Sequence, residues 1–317
     1  LMVPCSALAA LNVAAETLPL PPMDVDLIGR VQVVAARYED TLLDIARRGG
    51  LGYTEIKMAN RATDPWMPGE GVQVVLPTQH ILPRAPRQGI VINLPEMRLY
   101  YYLPAQGDFR QVVTYPISIG RFDWRTPLGV TKIAQKVPNP SWTPPESIRI
   151  EHAAKGDILP PVVPAGPDNP LGQFALRLGV PGYLIHGTNK PYGIGMRVTH
   201  GCLRLYPEDI AALFGQVAPG LQVNFVSQPF KVGQAFGVTY LEVHHPLREE
   251  KGRRAGALGE IAQLLADLGV ATADVDWDTV RQELARPTGM PVPISRPEDV
   301  ILLDAGLGPD GVVAAQP

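Results

Sequence analysis

The chain has 317 residues. At roughly 100–200 residues per domain, that length suggests two or three domains with a sizeable core. Hydrophobic residues make up 45% and charged residues 19%, which excludes an intrinsically disordered protein. The net charge is −3, and no dense Lys/Arg run occurs, so nucleic acid is not an expected partner. No apolar run reaches the ~18 residues of a membrane-spanning helix, and we predict no transmembrane segment.

The N-terminal segment, residues 1–15, is apolar and rich in small residues. Its Ala7-Leu8-Ala9 triplet matches the cleavage site of a secretory signal, so we interpret residues 1–30 as a signal remnant and a Pro-rich linker. Cys5 as a lipoprotein anchor is the alternative, which Pro4 directly before it disfavours. With the other cysteine far away at Cys202, we expect no structural disulfide, and a lone thiol in an exported protein suggests a reactive group.

Residues 31–83 predict a small βααβ unit. Alternating apolar residues indicate strands at 31–35 and 72–77, and Asp40 or Thr41 can cap the first of two helices between them. The pieces that resemble a LysM module, a small peptidoglycan-binding fold, are Tyr38-x-Asp40-Thr41-Leu42, Pro68-Gly69-x-x-Val72 and Leu76-Pro77. A generic small α+β subdomain is the alternative.

From residue 89 an alternation of period 2 predicts a larger β domain over residues 88–228. Its predicted strands are 90–94, 97–103, 111–119, 130–133, 174–178, 183–186 and 221–226, with a helix from Pro207. The Pro-rich insert at 136–170 is predicted to be a structureless loop or lid over a site, since long loops in compact domains are usually functional. Residues 229–317 are predicted to form a partly helical extension, with helices at 257–268 and 276–286.

Two of the six histidines and Cys202 gather within residues 185–205, each histidine beside a glycine. A thiol with a pKa of about 8.5 is mostly protonated at neutral pH and needs a base or a positive charge to become a nucleophile. His186 ends a predicted strand next to the strand that we expect to begin at Cys202. His200 lies two residues before Cys202 and would share its face in an extended segment. The spacing does not decide which histidine is the base.

The neighbouring residues can complete an acyl-transfer site. Gly187 and Gly201 permit close backbone approach or a positive φ. The amides of Gly201 and Cys202 are candidates for an oxyanion hole. Arg204 falls on the same strand face as Cys202, where it can bind a substrate carboxylate, support the thiolate or only brace the loop.

Residues 185–205 allow two other interpretations. A cysteine in an apolar strand is usually an inert core residue, but the flanking His and Gly residues favour a reactive one. His186, His200 and Cys202 as zinc ligands are disfavoured, because structural zinc takes four ligands and no second cysteine lies nearby.

The order Thr-His-Gly-Cys-x-Arg at residues 199–204, with His-Gly at 186–187, resembles the L,D-transpeptidase (YkuD) family of cell-wall enzymes. Further matching segments are Arg125-Thr126-Pro127-x-Gly129, Asn139-Pro140-Ser141-Trp142 and Pro164-Ala165-Gly166-Pro167. The segment from Phe230 to His244 is similar to the one that follows this domain in Gram-negative periplasmic members. The resemblance covers roughly residues 88–245.

This resemblance implies a mainly β fold: a mixed β-sandwich catalytic domain, a small α+β LysM-like module before it and an α-helical appendage after it. It implies that Cys202 attacks the carbonyl between diaminopimelate and D-Ala in a peptidoglycan tetrapeptide stem. An amine, from another stem or from the lysine of an outer-membrane lipoprotein, would then resolve the thioester. A periplasmic location is implied, no cofactor or metal is implied, and carbapenems are expected to acylate Cys202.

The resemblance also assigns roles to individual residues. The counterpart of His186 is the general base, and its other ring nitrogen is oriented by a backbone carbonyl, here that of Gly187. The counterpart of His200 assists through its position and its backbone. Substrate contacts are expected from Arg204, Thr199 and Asn189.

Three alternatives remain for the activity. If water accepts the acyl group, the protein is an L,D-carboxypeptidase or endopeptidase. A catalytically idle peptidoglycan-binding protein would need neither His186 nor Cys202. A papain-like protease is disfavoured because its cysteine precedes its histidine by a long distance, the reverse of the order here.

Overall fold

The computed structural model describes residues 17–295. The predicted signal remnant at residues 1–15 and Cys5 therefore lie outside the described residues, as do residues 296–317. The predicted linker at 16–30 differs from expectation, because two short strands form in it and pair with later parts of the chain. No helix within residues 17–295 has both the length and the apolarity that crossing a membrane requires.

The first part of the chain forms the predicted βααβ unit and the strands that flank it. Its elements are β1 (Thr17–Pro19), β2 (Leu27–Gly29), β3 (Gln32–Ala35), α1 (Leu42–Arg48), α2 (Tyr53–Ala59), β4 (Gln73–Leu76) and β5 (Gln79–Ile81). We call residues 31–83 the N-terminal module. Thr41 caps α1 in a capping box with Asp44, which satisfies the free amides of the first turn. β3 and β4 pair antiparallel over a core that contains Leu42, Ile56 and Val74.

The central part carries the site and most of the strands. Its elements are β6 (Gly89–Asn93), β7 (Arg98–Tyr102), β8 (Gln111–Pro116), β9 (Ile119–Gly120), β10 (Gly129–Pro138), α3 (Glu146–Ala153), β11 (Phe174–Leu178), β12 (Leu184–His186), β13 (Arg197–Thr199), β14 (Leu203–Arg204), α4 (Pro207–Gln216) and β15 (Gln222–Val226). The predicted structureless insert is corrected here: β10 extends into it, and α3 lies within it.

One mixed sheet of nine strands organises this part, in the order β1-β8-β7-β6-β15-β10-β11-β12-β14. Most neighbours are antiparallel, but β6 pairs parallel with β15 and β12 pairs parallel with β14. A short second sheet joins β9 and β13. Alternate residues of the strands enter one apolar core, and α4 packs on it through Ile210 and Leu213. With more strand than helix in the described residues, the mainly β prediction is confirmed.

The C-terminal part contains both predicted helices and, in addition, a three-stranded sheet that the sequence analysis did not predict. Its elements are β16 (Phe230–Ala235), β17 (Val238–Val243), α5 (Ala257–Asp267), α6 (Trp277–Ala285) and β18 (Val292–Pro293). Asp276 caps α6, as its sequence position suggested. The helices and the sheet share a separate core around Leu241, Ile261 and Val280.

The N-terminal module packs directly on the loop between β12 and β13. The Tyr53 amide donates to the Ile194 carbonyl at 3.0 Å, and Thr54 Oγ1 donates to the Gly195 carbonyl at 2.5 Å. The two backbones are so close that a Cβ added to Gly52 would lie 2.6 Å from Gly195 Cα. The module is therefore fixed to the stretch that separates His186 from Cys202.

Candidate active site

Two parallel strands bring His186 and Cys202 to one face of the sheet. In the register of β12 and β14, Ile185 lies beside Leu203 and His186 beside Arg204. Ile185 and Leu203 belong to the core, so the residues that alternate with them point to the other face. Cys202 precedes β14 directly, in the loop rather than at the strand start that we expected. Its side chain thus shares the outer face with His186 and Arg204.

The Cys202 thiol is free and half-buried, and Sγ donates a weak hydrogen bond to the Gly182 carbonyl at 3.6 Å. Burial raises the pKa of the Cys202 thiol, while the Leu184 amide and the Arg204 charge act in the opposite direction. At neutral pH the resting thiol is accordingly protonated. It becomes a nucleophile only if a base takes its proton.

His186 has the chemistry of such a base. Its ring is 3% exposed, and Nδ1 lies 2.7 Å from the Gly187 carbonyl oxygen. A carbonyl can only accept, so Nδ1 carries the proton and Nε2 keeps its lone pair. Burial first and the Arg204 charge second lower the pKa of His186 to about 3, against weaker opposing hydrogen bonds that the ring donates to the Gly187 and Leu171 backbone. The imidazole is therefore neutral across physiological pH.

The loop before Cys202 presents free backbone amides. Gly201 has a φ of 98°, a conformation that favours glycine. The Thr199 hydroxyl donates to the Cys202 carbonyl at 2.5 Å, and the Thr126 hydroxyl donates to the Gly201 carbonyl at 3.0 Å. Within residues 17–295 no acceptor takes a hydrogen bond from the amides of Gly201 or Cys202. Two such donors beside a nucleophile can stabilise an oxyanion.

Gly187 is required for a different reason. A Cβ there would lie 3.0 Å from Ile210 Cγ2 and 3.4 Å from the Leu171 carbonyl oxygen. Its amide donates to the Phe174 carbonyl at 3.1 Å, which holds in place the residue whose carbonyl oxygen orients His186. A larger residue would move that oxygen, so the glycine supports the imidazole through close packing.

His200 faces the insert. Its Nε2 lies 2.9 Å from Glu151 Oε2 on α3, and its ring packs edge-on against Trp124 with centroids 5.1 Å apart. Arg121 pairs with the same carboxylate at 2.8 Å. Hydrogen bonds from Arg121, Lys155 and His200, in that order, hold the pKa of Glu151 well below its usual range. His200 thus connects the loop that precedes Cys202 to the insert.

The three predicted substrate contacts sit in different surroundings. Arg204 is half-buried beside Cys202, and its Nε has no hydrogen-bond partner in the part of the chain that the structure describes. Thr199 is 1% exposed, and its hydroxyl is engaged by the Cys202 carbonyl. Asn189 is exposed and donates through Nδ2 to the Asp168 carbonyl at 3.1 Å. Of the three, Arg204 has the most uncommitted hydrogen-bonding capacity.

Sequence reasoning missed the partners that lie far along the chain. Glu151 was not singled out, although it contacts His200 across 49 residues. Arg177 and Gly182, which line a small groove beside Cys202, were also not singled out. Strand alternation could have placed Arg177 on the site face, since it alternates with Leu176 and Leu178. No local pattern identifies Glu151.

Comparisons with known proteins identify the family of the chain. The family model of the L,D-transpeptidase catalytic domain, YkuD, matches residues 87–225. The chain is 41% identical over 293 residues to "Probable L,D-transpeptidase YcfS" of Escherichia coli, covering 90% of this chain and 91% of that protein. It is 40% identical over 289 residues to "Probable L,D-transpeptidase ErfK/SrfK" of the same species, covering 89% and 91%.

Among solved structures, the L,D-transpeptidase from Mycobacterium smegmatis is 19% identical and aligns with 44% of this chain and 58% of its own, with a TM-score of 0.31. That likeness is too weak to add to the sequence matches. At about 40% identity over nine-tenths of both chains, the sequence relationship stands without it. The chain belongs to the L,D-transpeptidase (YkuD) family.

Proposed function

We propose that this protein is a cysteine-dependent L,D-transpeptidase that acts on peptidoglycan tetrapeptide stems in the periplasm. Cys202 would form a thioester with the third residue, release D-Ala, and pass the acyl group to an amine. The observation that carries this proposal is the neutral His186, with Nδ1 held by the Gly187 carbonyl, on the same sheet face as a free thiol. Membership of the family supports the reaction class.

In the acylation step, His186 Nε2 takes the proton of Cys202 Sγ as the sulfur attacks the carbonyl that joins the third residue to D-Ala. Because the resting thiol is protonated and the imidazole neutral, proton transfer and attack proceed together. The amides of Gly201 and Cys202 stabilise the tetrahedral oxyanion. When the C–N bond breaks, His186 returns the proton to the amine of the leaving D-Ala.

In the second step an acceptor amine attacks the thioester. His186 takes a proton from this amine, and Cys202 leaves as a thiolate and recovers the proton. Splitting the transfer into two steps makes each barrier lower than direct aminolysis of an amide. The insert, fastened by Glu151 to His200 and Arg121, would limit water near the thioester and so favour the amine.

Other residues would orient the stem and the loop. We assign to Arg204 the carboxylate of the departing D-Ala, because its guanidinium is beside Cys202 and its Nε is free of partners within residues 17–295. The buried Thr199 would shape the loop that precedes Cys202 through the Cys202 carbonyl rather than touch substrate. Asn189 would hold the insert by its contact with Asp168, and a substrate contact from its exposed side chain stays a prediction.

We assign a different role to each part of the chain. Residues 88–228 would be the catalytic domain and residues 229–317 an extension that braces it. Residues 31–83 would be a LysM-like module that holds the enzyme on the glycan. Tyr38 and Trp66, both mostly exposed on neighbouring loops, support this role because sugars stack on aromatic faces.

The acceptor decides the biological product. A second diaminopimelate gives a 3–3 cross-link, and a lysine of an outer-membrane lipoprotein gives wall attachment. Water gives the alternative L,D-carboxypeptidase or endopeptidase activity. A catalytically idle peptidoglycan-binding protein is the remaining alternative, and the complete Cys202 and His186 arrangement disfavours it.

The test is incubation with purified disaccharide-tetrapeptide and mass analysis of the products. We expect cross-linked dimer together with free D-Ala, and neither with Cys202→Ser. Free D-Ala without dimer would identify the hydrolase instead. No product from the wild-type protein, with the stem still bound, would support the idle binding protein and overturn the proposal.

A further inference from the structure

A second arginine shares the outer face of the sheet with Cys202. On β11, Leu176 and Leu178 enter the core, so Arg177 between them points to the other face. Arg177 lies beside Leu184 in the register of β11 and β12. Since Ile185 lies beside Leu203, Leu184 is next to Cys202 one residue earlier. Two strand spacings of about 4.8 Å place the Cα atoms of Arg177 and Cys202 about 10 Å apart.

A small groove lies beside Arg177. It has a volume of about 190 Å³ and is lined by Arg177, Leu178, Pro181, Gly182, Tyr183 and Leu184. Gly182, one of these lining residues, also accepts the weak hydrogen bond from Cys202 Sγ through its carbonyl, so a wall of the groove contacts the thiol. Its size suits the end of one side chain and not a whole stem peptide.

The groove is cationic. Arg177 is exposed, and no carboxylate within residues 17–295 forms an ion pair with it. By contrast Arg47, Arg121, Arg197 and Arg253 each pair with a glutamate. None of the other groove residues is acidic. A guanidinium in such a wall is suited to a carboxylate, which it binds through two parallel hydrogen bonds.

We propose that Arg177 binds the side-chain carboxylate of the third residue of the donor stem. The proposal rests on the proposed function of Cys202. In diaminopimelate this carboxylate is six bonds from the carbonyl that Cys202 attacks, a reach of roughly 7 Å with bonds of about 1.5 Å. That reach, extended by the arginine side chain, spans the distance from Cys202 to Arg177. Stems with lysine at the third position lack this carboxylate and place an ammonium group against the cation instead.

The resulting selectivity separates Arg177 from Arg204. Arg204 is adjacent to the thiol and serves the carboxylate of D-Ala, which every tetrapeptide stem carries. Arg177 is one strand further away and serves a group that only some stems carry. Removing Arg177 should therefore reduce the selectivity between stems, whereas removing Arg204 should weaken the binding of every tetrapeptide stem.

The test compares D-Ala release from a diaminopimelate tetrapeptide and from its lysine counterpart. For Arg177→Gln we expect KM to rise about tenfold or more on the diaminopimelate stem, as losing a hydrogen bond to a charged group predicts. We expect kcat to change less than about twofold, since the reacting atoms are untouched. KM on the lysine stem should stay the same or fall. Arg286→Gln, which removes a distant exposed arginine without an ion pair in residues 17–295, is the matched control and should change neither.

A binding measurement keeps the test independent of turnover. In the Cys202→Ser background, NMR titration with each stem measures binding affinity even if no D-Ala is released. Arg177→Gln should lower the affinity for the diaminopimelate stem by about tenfold or more and leave the affinity for the lysine stem unchanged. An equal loss of affinity for both stems would place Arg177 at another stem carboxylate. Unchanged affinity for both stems would place Arg177 outside the site. Either result overturns the proposal, whereas a wild-type protein that binds but releases no D-Ala contradicts only the proposed function.

Discussion

Ionisable side chains cluster in two regions of this molecule. Their charges are unpaired in one region and paired in the other. On the outer sheet face, Arg177 and Arg204 lack ion-pair partners within residues 17–295. In the second region, which we call the buried joint, Glu96, Lys231, Glu242 and His244 are all less than 5% exposed and are paired. Unpaired charge beside an open groove is suited to a ligand, whereas paired charge in the interior holds parts of the chain together.

The pairing at the buried joint is extensive. Lys231 Nζ lies 2.9 Å from Glu96 and 2.7 Å from Glu242, and His244 lies 2.6 Å from Glu242. The Glu242 carboxylate also accepts from the Ile81 amide at 2.6 Å. These contacts tie β16 and β17 to the hairpin of β6 and β7 and to β5 of the N-terminal part. The C-terminal part is thereby fixed to the nine-stranded sheet.

The buried joint could be mistaken for a metal site. Donor atoms of His80, Glu96 and Glu242 lie within 4.8 Å of one another, a geometry that a cation could exploit. The ammonium group of Lys231 already contacts both carboxylates, and it supplies the positive charge that a metal would bring. A cluster of ionisable side chains therefore does not by itself indicate a functional site.

The largest effect is expected at the nucleophile. Cys202→Ser should abolish the carbapenem adduct that intact-mass spectrometry detects on the wild-type protein, because the serine hydroxyl is far less acidic than the thiol. Cys5→Ser, which removes the other cysteine, is the control and should leave the adduct unchanged. An adduct that persists on Cys202→Ser would remove Cys202 from its role.

The next effect is expected at the base. His186→Ala should slow acylation by about 10²–10⁴, the usual contribution of general base catalysis, while circular dichroism shows an intact fold. His200→Ala should cost less, since it loosens the insert at Glu151 and leaves the proton acceptor in place. The reverse order of the two variants in stopped-flow acylation rates would reassign the base to His200.

A substitution in the buried joint should lower the stability of the fold and leave the rate of acylation unchanged. Lys231→Met leaves Glu96 and Glu242 buried without their cation, which should lower the free energy of unfolding by about 3–5 kcal/mol. Urea denaturation measures this loss, and Lys251→Met on the exposed surface is the matched control. The folded fraction should be acylated at the wild-type rate. A stability change below about 1 kcal/mol would show that the pairing contributes little.

A smaller effect is expected where the N-terminal module contacts the loop between His186 and Cys202. Thr54→Val removes the hydrogen bond to the Gly195 carbonyl, worth about 1 kcal/mol, and should slow acylation up to about fivefold. Thr54→Ser should restore the rate, and Thr63→Val, on the same module, should not change it. Equal rates for Thr54→Val and Thr63→Val would show that the module does not position the loop.

Much of the fold and half of the site could be predicted from sequence because their signals are local. Each of these signals spans only a few residues: the Thr41 and Asp276 caps, the strand alternation from residue 89, and the His-Gly and His-Gly-Cys motifs. The contact of His200 with Glu151 spans 49 residues, and α3 is a short helix inside a Pro-rich segment. Such contacts depend on how the strands assemble, which no window of sequence contains.

The buried joint could not be predicted for the same reason. Lys231 and Glu96 are separated by 135 positions, and each alone resembles a surface residue of a strand or turn. The sheet of β16, β17 and β18 was missed because β18 is two residues long and pairs with β17 across the helices. Its formation depends on the packing of α5 and α6 beneath it.

Histidine-labelled NMR between pH 4 and 8 tests whether His186 is neutral beside a protonated Cys202 thiol, as the role of His186 as the base requires. With its pKa lowered to about 3, His186 should keep a proton on Nδ1 alone throughout this range. Because the unfolded chain binds this proton first, at a pKa of about 6.5, the His186 contribution should leave stability unchanged above that pH and reduce it as the pH falls towards 3. A doubly protonated His186 at pH 7, paired with a Cys202 thiolate, would contradict this role.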